Sequence, residues 1–350
     1  MFVAVFLVSF ALALALAPLS ARVGYRLQTV DQPGGRRSHA GQVSRLGGVA
    51  LFGGFAAGAL LALILWPPDV DLDVRRLIAV LLGSVLVFLI GIWDDRHELP
   101  PWPQFVAQAA AACVAIAGTV FIERFTNPLT DRLVIIPEVL PVFGWAAVIL
   151  ITMLWVMGMM NTVNWLDGLD GLAAGVGFIA AALFALHSYK LGQTEIALFP
   201  TALAGACLGF LPFNFHPARV FMGSAGAMVL GYALASLSIL APARIATALL
   251  VLGIPIVDVA WLIASRWRRG QSPTRGGRDH MHHRLLDLGL SQRQIVLVYY
   301  VFCLLFGGLA LLASSRLFKL IALLVLGAGT LLALWWLSHK ARSRDLSSPP

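Results

Sequence analysis

Long apolar runs, broken by short polar stretches, make up most of this chain. They fall near 2–19, 46–66, 76–92, 103–121, 142–160, 170–187, 196–212, 224–240, 245–264, 294–314 and 318–337. A helix of about 20 apolar residues crosses the roughly 30 Å of bilayer hydrocarbon. The pattern predicts an all-α polytopic membrane protein with about eleven transmembrane helices, whose two ends lie on opposite sides. Residues 1–20 have the apolar character of a signal peptide. No basic segment follows Met1, however, and the run is long enough to span, so a first membrane helix is the better expectation.

Composition agrees. Of 350 residues, 59% are hydrophobic and 12% charged, with mean hydropathy +0.85; a soluble domain averages about 25% charged residues. The net charge of +8 needs no nucleic acid to explain it, because basic loops orient membrane proteins and face anionic lipid. Alternate loops and the C-terminal tail hold seventeen Lys and Arg in one set and eight in the other. The richer set should be cytoplasmic, which puts the N-terminus outside and the C-terminus in the cytoplasm. One membrane domain is expected over 1–338, with a disordered cytoplasmic tail over 339–350. The longest outer loop, about 122–141, has prolines around LVII and suits a short hairpin. Cys113, Cys207 and Cys303 lie in apolar runs without metal or disulfide spacing.

The polar residues gather on the basic side. Residues 158–175 read GMMNTVNWLDGLDGLAAG, between two apolar segments. A carboxylate at a membrane helix is costly, roughly 3 kcal/mol on insertion scales, unless a partner, water or metal compensates it. Asn161, Asn164 and Asp167 recur at every third position and would share a helix face; Asp170 would add a fourth group if the helix continued. The first inner loop, with Arg36, Arg37, His39 and Arg45 among glycines, suits phosphate, or is simply a solvated basic loop. Asp94 and Asp95 end a hydrophobic run. Adjacent carboxylates repel, so such a pair binds a cation or raises one pKa, unless it merely points into water. Asn214, His216 and Arg219 precede Gly223-Ser224, where a helix start would hold an anion or be capped by the serine. His280, His282 and His283 stand beside Arg284, suited to phosphate binding, proton transfer or metal ligation. Carboxylates, a hard cation and arginines at one membrane face are the parts for phosphoryl chemistry on a lipid.

At this point the chain resembles the polyprenyl-phosphate N-acetylhexosamine-1-phosphate transferases, which include the phospho-MurNAc-pentapeptide translocase. DQPGGRRSHAGQVSRLGG, GIWDDR, NTVNWLDGLDGLAAG, PFNFHPARVFMGSAG and DHMHHRLLDLGLS carry the resemblance, in the family's order and over most of the chain. The ending HMHHRL is similar to the GlcNAc-1-phosphate branch. The resemblance implies transfer of a sugar-1-phosphate from a UDP-N-acetylhexosamine to a polyprenyl phosphate, with UMP released at the cytoplasmic face of the cell membrane. It implies Mg²⁺, or Mn²⁺, as cofactor and suggests a homodimer. By motif, Asp94 would deprotonate or orient the lipid phosphate, with Asp95 beside it and Asp167 also catalytic. Asn164 and Asp167 would lie at the metal. Asn161, Asp170, Arg36, Arg37, His39, Arg45, Asn214, His280, His282, His283 and Arg284 would bind substrate.

One departure matters. The family pattern has FMGD where this chain has FMGS, so Ser224 stands where a metal-ligating aspartate is expected. A hydroxyl is a poor Mg²⁺ ligand beside a carboxylate. Three expectations follow: turnover with metal held by Asp167, Asn164 and substrate; low activity; or binding without turnover. Direct attack by the lipid phosphate and a covalent aspartyl-phosphate on Asp94 or Asp95 are the alternative routes. A transporter would use the Asn/Asp cluster for ion coupling, but should show repeats or broken helices in both halves.

Overall fold

A computed structural model describes residues 1–31, 41–240, 242–272, 279–313 and 315–345. Arg36, Arg37 and His39 therefore lie outside the described residues. In chain order the elements are α1 (Phe2–Arg26), β1 (Val30–Asp31), β2 (Val43–Ser44), α2 (Gly47–Leu65), α3 (Asp71–His97), α4 (Pro101–Ala117), β3 (Arg124–Thr126), β4 (Leu133–Ile135), α5 (Ile136–Val139), α6 (Gly144–Leu166), α7 (Leu172–Lys190), α8 (Thr194–Asn214), α9 (Gly223–Ile239), α10 (Pro242–Val251), α11 (Gly253–Arg268), α12 (Met281–Asp287), α13 (Gln292–Leu312) and α14 (Arg316–Asp345). Each apolar run falls on helix. The expected outer hairpin is present as β3 paired antiparallel with β4. The backbone of 339–345 continues α14.

Among the described residues, eight helices are long and apolar enough to cross a membrane, or nine if the bent pair α10–α11 is one span. The chain is thus an all-α, multi-pass membrane protein. The shortfall from eleven comes from α4 and α9, at 17 residues each. The bend of 76° between α10 and α11 has a local cause. Pro255 has no N–H to give Val251, four residues earlier, and its ring crowds that carbonyl. The freed Val251 carbonyl accepts from the Cys303 thiol of α13 at 3.0 Å.

Helices α8 and α9 form the centre. Helix α1 packs on α2 and α8, α7 on α8, and both α3 and α6 on α9. Nearly every α9 side chain is buried, so its 17 residues match protein rather than lipid. Small residues allow close backbone approach: a Cβ on Gly91 of α3 would fall 2.3 Å from Ala225 Cα, and one on Gly48 of α2 would fall 2.4 Å from Gly226 N. On the outside, Leu304 and Leu305 of α13 and Leu324 and Leu332 of α14 are exposed, as lipid-facing side chains should be.

Candidate functional site

The C-terminal ends of α1, α3, α6, α8 and α11 and the N-terminal ends of α2, α7, α9 and α13 meet at one end of the bundle. There the ends of α1, α6 and α8, the starts of α9 and α13, and α12 border a cavity of about 810 Å³. Its walls include Asp31, Gln42, Arg45, Asn164, Asp167, Asp170, Asn214, His216, Arg219, Ser224, His283 and Gln292.

The DGLDG turn forms one wall. Helix α6 stops at Leu166, Asp167 follows as its C-terminal cap, and Gly171 at φ +81° starts α7. That left-handed backbone suits glycine. Asn214 fixes the turn: its Oδ1 accepts from Gly171 N at 3.2 Å, and its Nδ2 donates to the Val220 carbonyl at 3.0 Å. Tyr300 of α13 donates to the Gly171 carbonyl at 2.6 Å. Asp170 Oδ2 accepts from Ala218 N at 3.1 Å and lies 2.7 Å from His216 Nδ1. Asp167 has no side-chain hydrogen bond among the described residues and is partly open to the cavity. Its carboxyl is pushed well above the usual carboxylate range, first by burial and then by the charges of Asp95 and Asp170.

The second wall is the edge where the first loop meets the start of α9. Ser44 bridges Val220, Phe221 N donates to the Ser44 carbonyl at 2.8 Å, and Gly47 N donates to the Phe221 carbonyl at 2.9 Å. This places Arg45 beside the cavity, where it also pairs with Glu98 at 2.9 Å.

Asp94 and Asp95 are both buried and do not line the cavity. Asp95 receives Ser224 N at 2.7 Å and Ala225 N at 3.1 Å, one on each oxygen. It therefore caps α9 from across the bundle, which corrects the expectation that Ser224 caps this helix: the N-cap is Met222, without a side-chain bond. Gly223, at φ +69°, has the room this contact needs, since a Cβ there would meet Asp95 Oδ1 and Oδ2 at 2.7 Å. Asp94 receives Leu99 N at 3.0 Å and Gln104 Nε2 at 2.8 Å, both on Oδ1, which leaves Oδ2.

Several expected substrate contacts point elsewhere. Asn161 faces α4, donating to Gln108 at 2.7 Å and to its own Met157 carbonyl at 2.8 Å. A step of three residues falls about 60° short of a full turn, so Asn161 and Asp167 stand about 120° apart around α6 instead of sharing a face. His280 is buried with its Nδ1 2.9 Å from Asp258 Oδ2 of α11, while Asp258 Oδ1 accepts from Met281 N at 3.0 Å. Arg284 donates to the Asp279 carbonyl at 2.7 Å and also to Ser338. His282 stacks on His280 at 5.4 Å, and its Nε2 is buried without a hydrogen-bond partner among the described residues. Burial, then His283 and His280, holds its pKa well below the ordinary histidine value. A Cβ on Gly168 would lie 2.5 Å from that Nε2, so the histidine turn rests against the DGLDG turn. Of the three histidines, His283 lines the cavity.

Sequence reasoning left Gln42, His216, Arg219 and Gln292 out of the site. Each lies in or beside a stretch already noted as polar, but only the fold shows which side chains face inward. Among the described residues, no three His, Cys, Asp or Glu converge as a metal cluster. The donors present are nonetheless oxygen: the uncompensated Asp167 carboxylate, the Asn164 amide and the Ser224 hydroxyl. Mg²⁺ is commonly held by one or two carboxylates, with waters and substrate phosphates filling the other positions. The residues fit a hard divalent cation of that kind.

Residues 77–242 match the profile of glycosyl transferase family 4. The chain is 32% identical over 320 residues to a "Probable undecaprenyl-phosphate N-acetylglucosaminyl 1-phosphate transferase" of Bacillus subtilis (strain 168), covering 89% of this chain and 85% of that one. It is 34% identical over 349 residues to a "Decaprenyl-phosphate N-acetylglucosaminephosphotransferase" of Mycobacterium tuberculosis (strain ATCC 25618 / H37Rv), covering 88% and 83%. An "Undecaprenyl-phosphate alpha-N-acetylglucosaminyl 1-phosphate transferase" of Haemophilus influenzae is 30% identical over 306 residues, covering 84% and 80%.

Proposed function

Since this chain belongs to glycosyl transferase family 4, we propose that it is a phosphotransferase moving GlcNAc-1-phosphate from UDP-GlcNAc to a polyprenyl phosphate. UMP is released and a lipid-linked envelope glycan is begun. Asp167 carries the reading: a carboxylate with no hydrogen-bond partner among the described residues, on the wall of a polar cavity that also holds Arg45, Arg219 and His283. A carboxylate that served the fold alone would be bonded on both oxygens, as Asp95 is. One that is not fits a cation and a diphosphate.

Asp94 stands off the cavity wall, and through its open Oδ2 it orients or deprotonates the acceptor phosphate where that phosphate reaches the end of α3. A lipid phosphate oxygen attacks the β-phosphorus of UDP-GlcNAc, and UMP leaves. Asn164, Asp167 and Ser224 would hold the divalent ion, Mg²⁺ or Mn²⁺, which when bound neutralises charge on the diphosphate. Arg45 and His283 hold nucleotide phosphates, and Asp170 supports that pocket. Direct displacement is favoured over an enzyme-bound phosphate on Asp95, because both Asp95 oxygens already accept backbone N–H groups.

The same reading takes residues 1–338 as one membrane domain with eleven crossings. Helices α4 and α9 both run antiparallel to α3: Arg75 near the start of α3 donates to Ala117 at the end of α4, and Tyr232 of α9 donates to Ala79. Counting α10–α11 once then gives eleven spans, with the N-terminus outside, the cavity at the cytoplasmic face of the cell membrane and the C-terminus in the cytoplasm.

The test is UMP release by purified protein from UDP-GlcNAc and undecaprenyl phosphate, with and without Mg²⁺. Lipid- and metal-dependent release that Asp94→Asn abolishes is the expected result. Ser224 favours a second reading, a binder of both substrates without turnover; binding of UDP-GlcNAc with no UMP release would establish that one instead.

A further inference from the structure

His216 has not been given a task in the reaction, yet it stands on the cavity wall. Its Nδ1 lies 2.7 Å from Asp170 Oδ2, and the side chain is 36% exposed. Two facts argue that it is more than a strut between the DGLDG turn and the 214–220 loop. Those segments are already joined without it, by Ala218 N to Asp170 and by Asn214 to both Gly171 N and the Val220 carbonyl. The His216 backbone is also held from a third element, because Arg293 Nε donates to its carbonyl at 3.2 Å. A side chain fixed at Nδ1 by a carboxylate, on a backbone fixed from α13, presents its other ring nitrogen in a defined direction.

The surroundings say what that nitrogen would meet. Arg45, Arg219 and His283 line the same cavity. With Nδ1 held by the Asp170 carboxylate, Nε2 lies on the opposite side of the ring, and a ring carrying protons on both nitrogens donates from Nε2 to an anion. We propose that His216 is a substrate-contacting residue whose Nε2 donates to a phosphate oxygen, with Asp170 orienting the ring. The inference rests on the transferase reading above and adds a residue to it. The phosphate could belong to the nucleotide-sugar diphosphate or to the polyprenyl phosphate, which share this chemistry.

Two substitutions separate contact from strut. In His216→Gln the amide nitrogen stands near the position of Nε2 and the bond to Asp170 is lost. In His216→Asn the amide nitrogen stands near Nδ1, so the Asp170 bond is kept and the outer donor is lost. Calorimetric binding of UDP-GlcNAc with Mg²⁺, KM for UDP-GlcNAc and for undecaprenyl phosphate, and melting temperature are measured for both. The expected result is a loss of affinity of about tenfold or more in His216→Asn, the size of one charge-assisted hydrogen bond, with substantial rescue in His216→Gln. A shift confined to UDP-GlcNAc assigns the diphosphate; one confined to undecaprenyl phosphate assigns the lipid. The reverse order, with His216→Asn intact and His216→Gln impaired, overturns the proposal, since the Asp170 bond would then be all that matters. Equal affinity in all three proteins overturns it as well, as does equal impairment accompanied by equal loss of melting temperature. Absence of UDP-GlcNAc binding by the wild-type chain overturns the transferase reading and this inference together, which sets that failure apart from the others.

Discussion

Ser224→Asp restores the carboxylate that the family pattern places at this position, and its consequences follow from the geometry around it. The Ser224 amide lies 2.7 Å from Asp95 Oδ1, and Asp167 stands on the same cavity. A new carboxylate here comes within roughly 6 Å of Asp95, so at an effective dielectric of about 20 the repulsion is on the order of 3 kcal/mol. The helix N-terminus returns part of this, about 0.5–1 kcal/mol, because acidic groups are favoured in the first turn. Without a divalent ion the variant should therefore be destabilised by roughly 2 kcal/mol, a few degrees of melting temperature for a large chain. With Mg²⁺ the order should reverse. A cation between the new carboxylate and Asp167 turns repulsion into ligation, and the stabilisation grows with the ion's concentration over its dissociation constant. The assay is a melting curve in detergent against Mg²⁺ and Mn²⁺ titrations, run beside UMP release. Wild type should show a small metal-dependent shift, and Ser224→Asp a larger one with faster turnover. If the substitution changes neither the metal dependence of melting nor that of UMP release, the ion does not sit beside Ser224. The assignment to Asn164, Asp167 and Ser224 then fails.

Asp167→Asn should raise the melting temperature while lowering turnover at least about a hundredfold. Its folded-state pKa is raised, so between the unfolded value, 3.8, and the folded one the native state binds more protons and loses stability as pH rises; the amide removes that loss, and a lower melting temperature at pH 7 refutes it. Asp95→Ala leaves two α9 amides without their acceptor and should destabilise by about 3–5 kcal/mol, read as loss of the folded peak in size-exclusion chromatography. His282 is the opposite case on the acid side. Its folded pKa is lowered, so below the unfolded value of 6.5 the unfolded chain gains the proton and stability falls with pH; His282→Phe should flatten that acid limb of the melting profile. Asn161→Leu should change UDP-GlcNAc binding less than about twofold, since Asn161 contacts α4 rather than the cavity, while its partner Gln108 loses a bond worth about 1 kcal/mol.

Much of the architecture was legible because it is written locally. Each apolar run became helix, since apolar length and hydrogen-bond closure within lipid leave little else. The gathering of polar residues at one end was legible too, as those residues occupy alternate connections between runs. What the chain hid was pairing at long range. The cap of α9 comes from Asp95, more than a hundred positions earlier, and no local signal at Ser224 announces it. The alignment of Asn161 with Asp167 failed because a three-residue step drifts around a helix. Asp258, which holds His280, sits inside an apolar run and attracted no notice. The break before α11 is readable from Pro255, but the thiol that donates to the freed carbonyl lies on another helix.

Four buried or half-buried acids at this end divide by what they hold. Asp94 joins α3 to the loop after it and to α4, and Asp95 joins α3 to the start of α9. Asp170 joins the DGLDG turn to the 214–220 loop, and Asp258 joins α11 to the start of α12. Each of the four accepts at least one backbone N–H, so each replaces a helix or loop partner that the chain itself does not supply. Replacing any of them by alanine leaves buried donors unpaired and displaces a cavity wall, which lowers turnover whether or not the carboxylate touches substrate. Loss of activity alone therefore does not identify a catalytic acid in this cavity. Asp167 differs because the fold makes no use of its charge and is opposed by it. A group that the fold would be more stable without is one whose charge has to be explained by what enters the cavity.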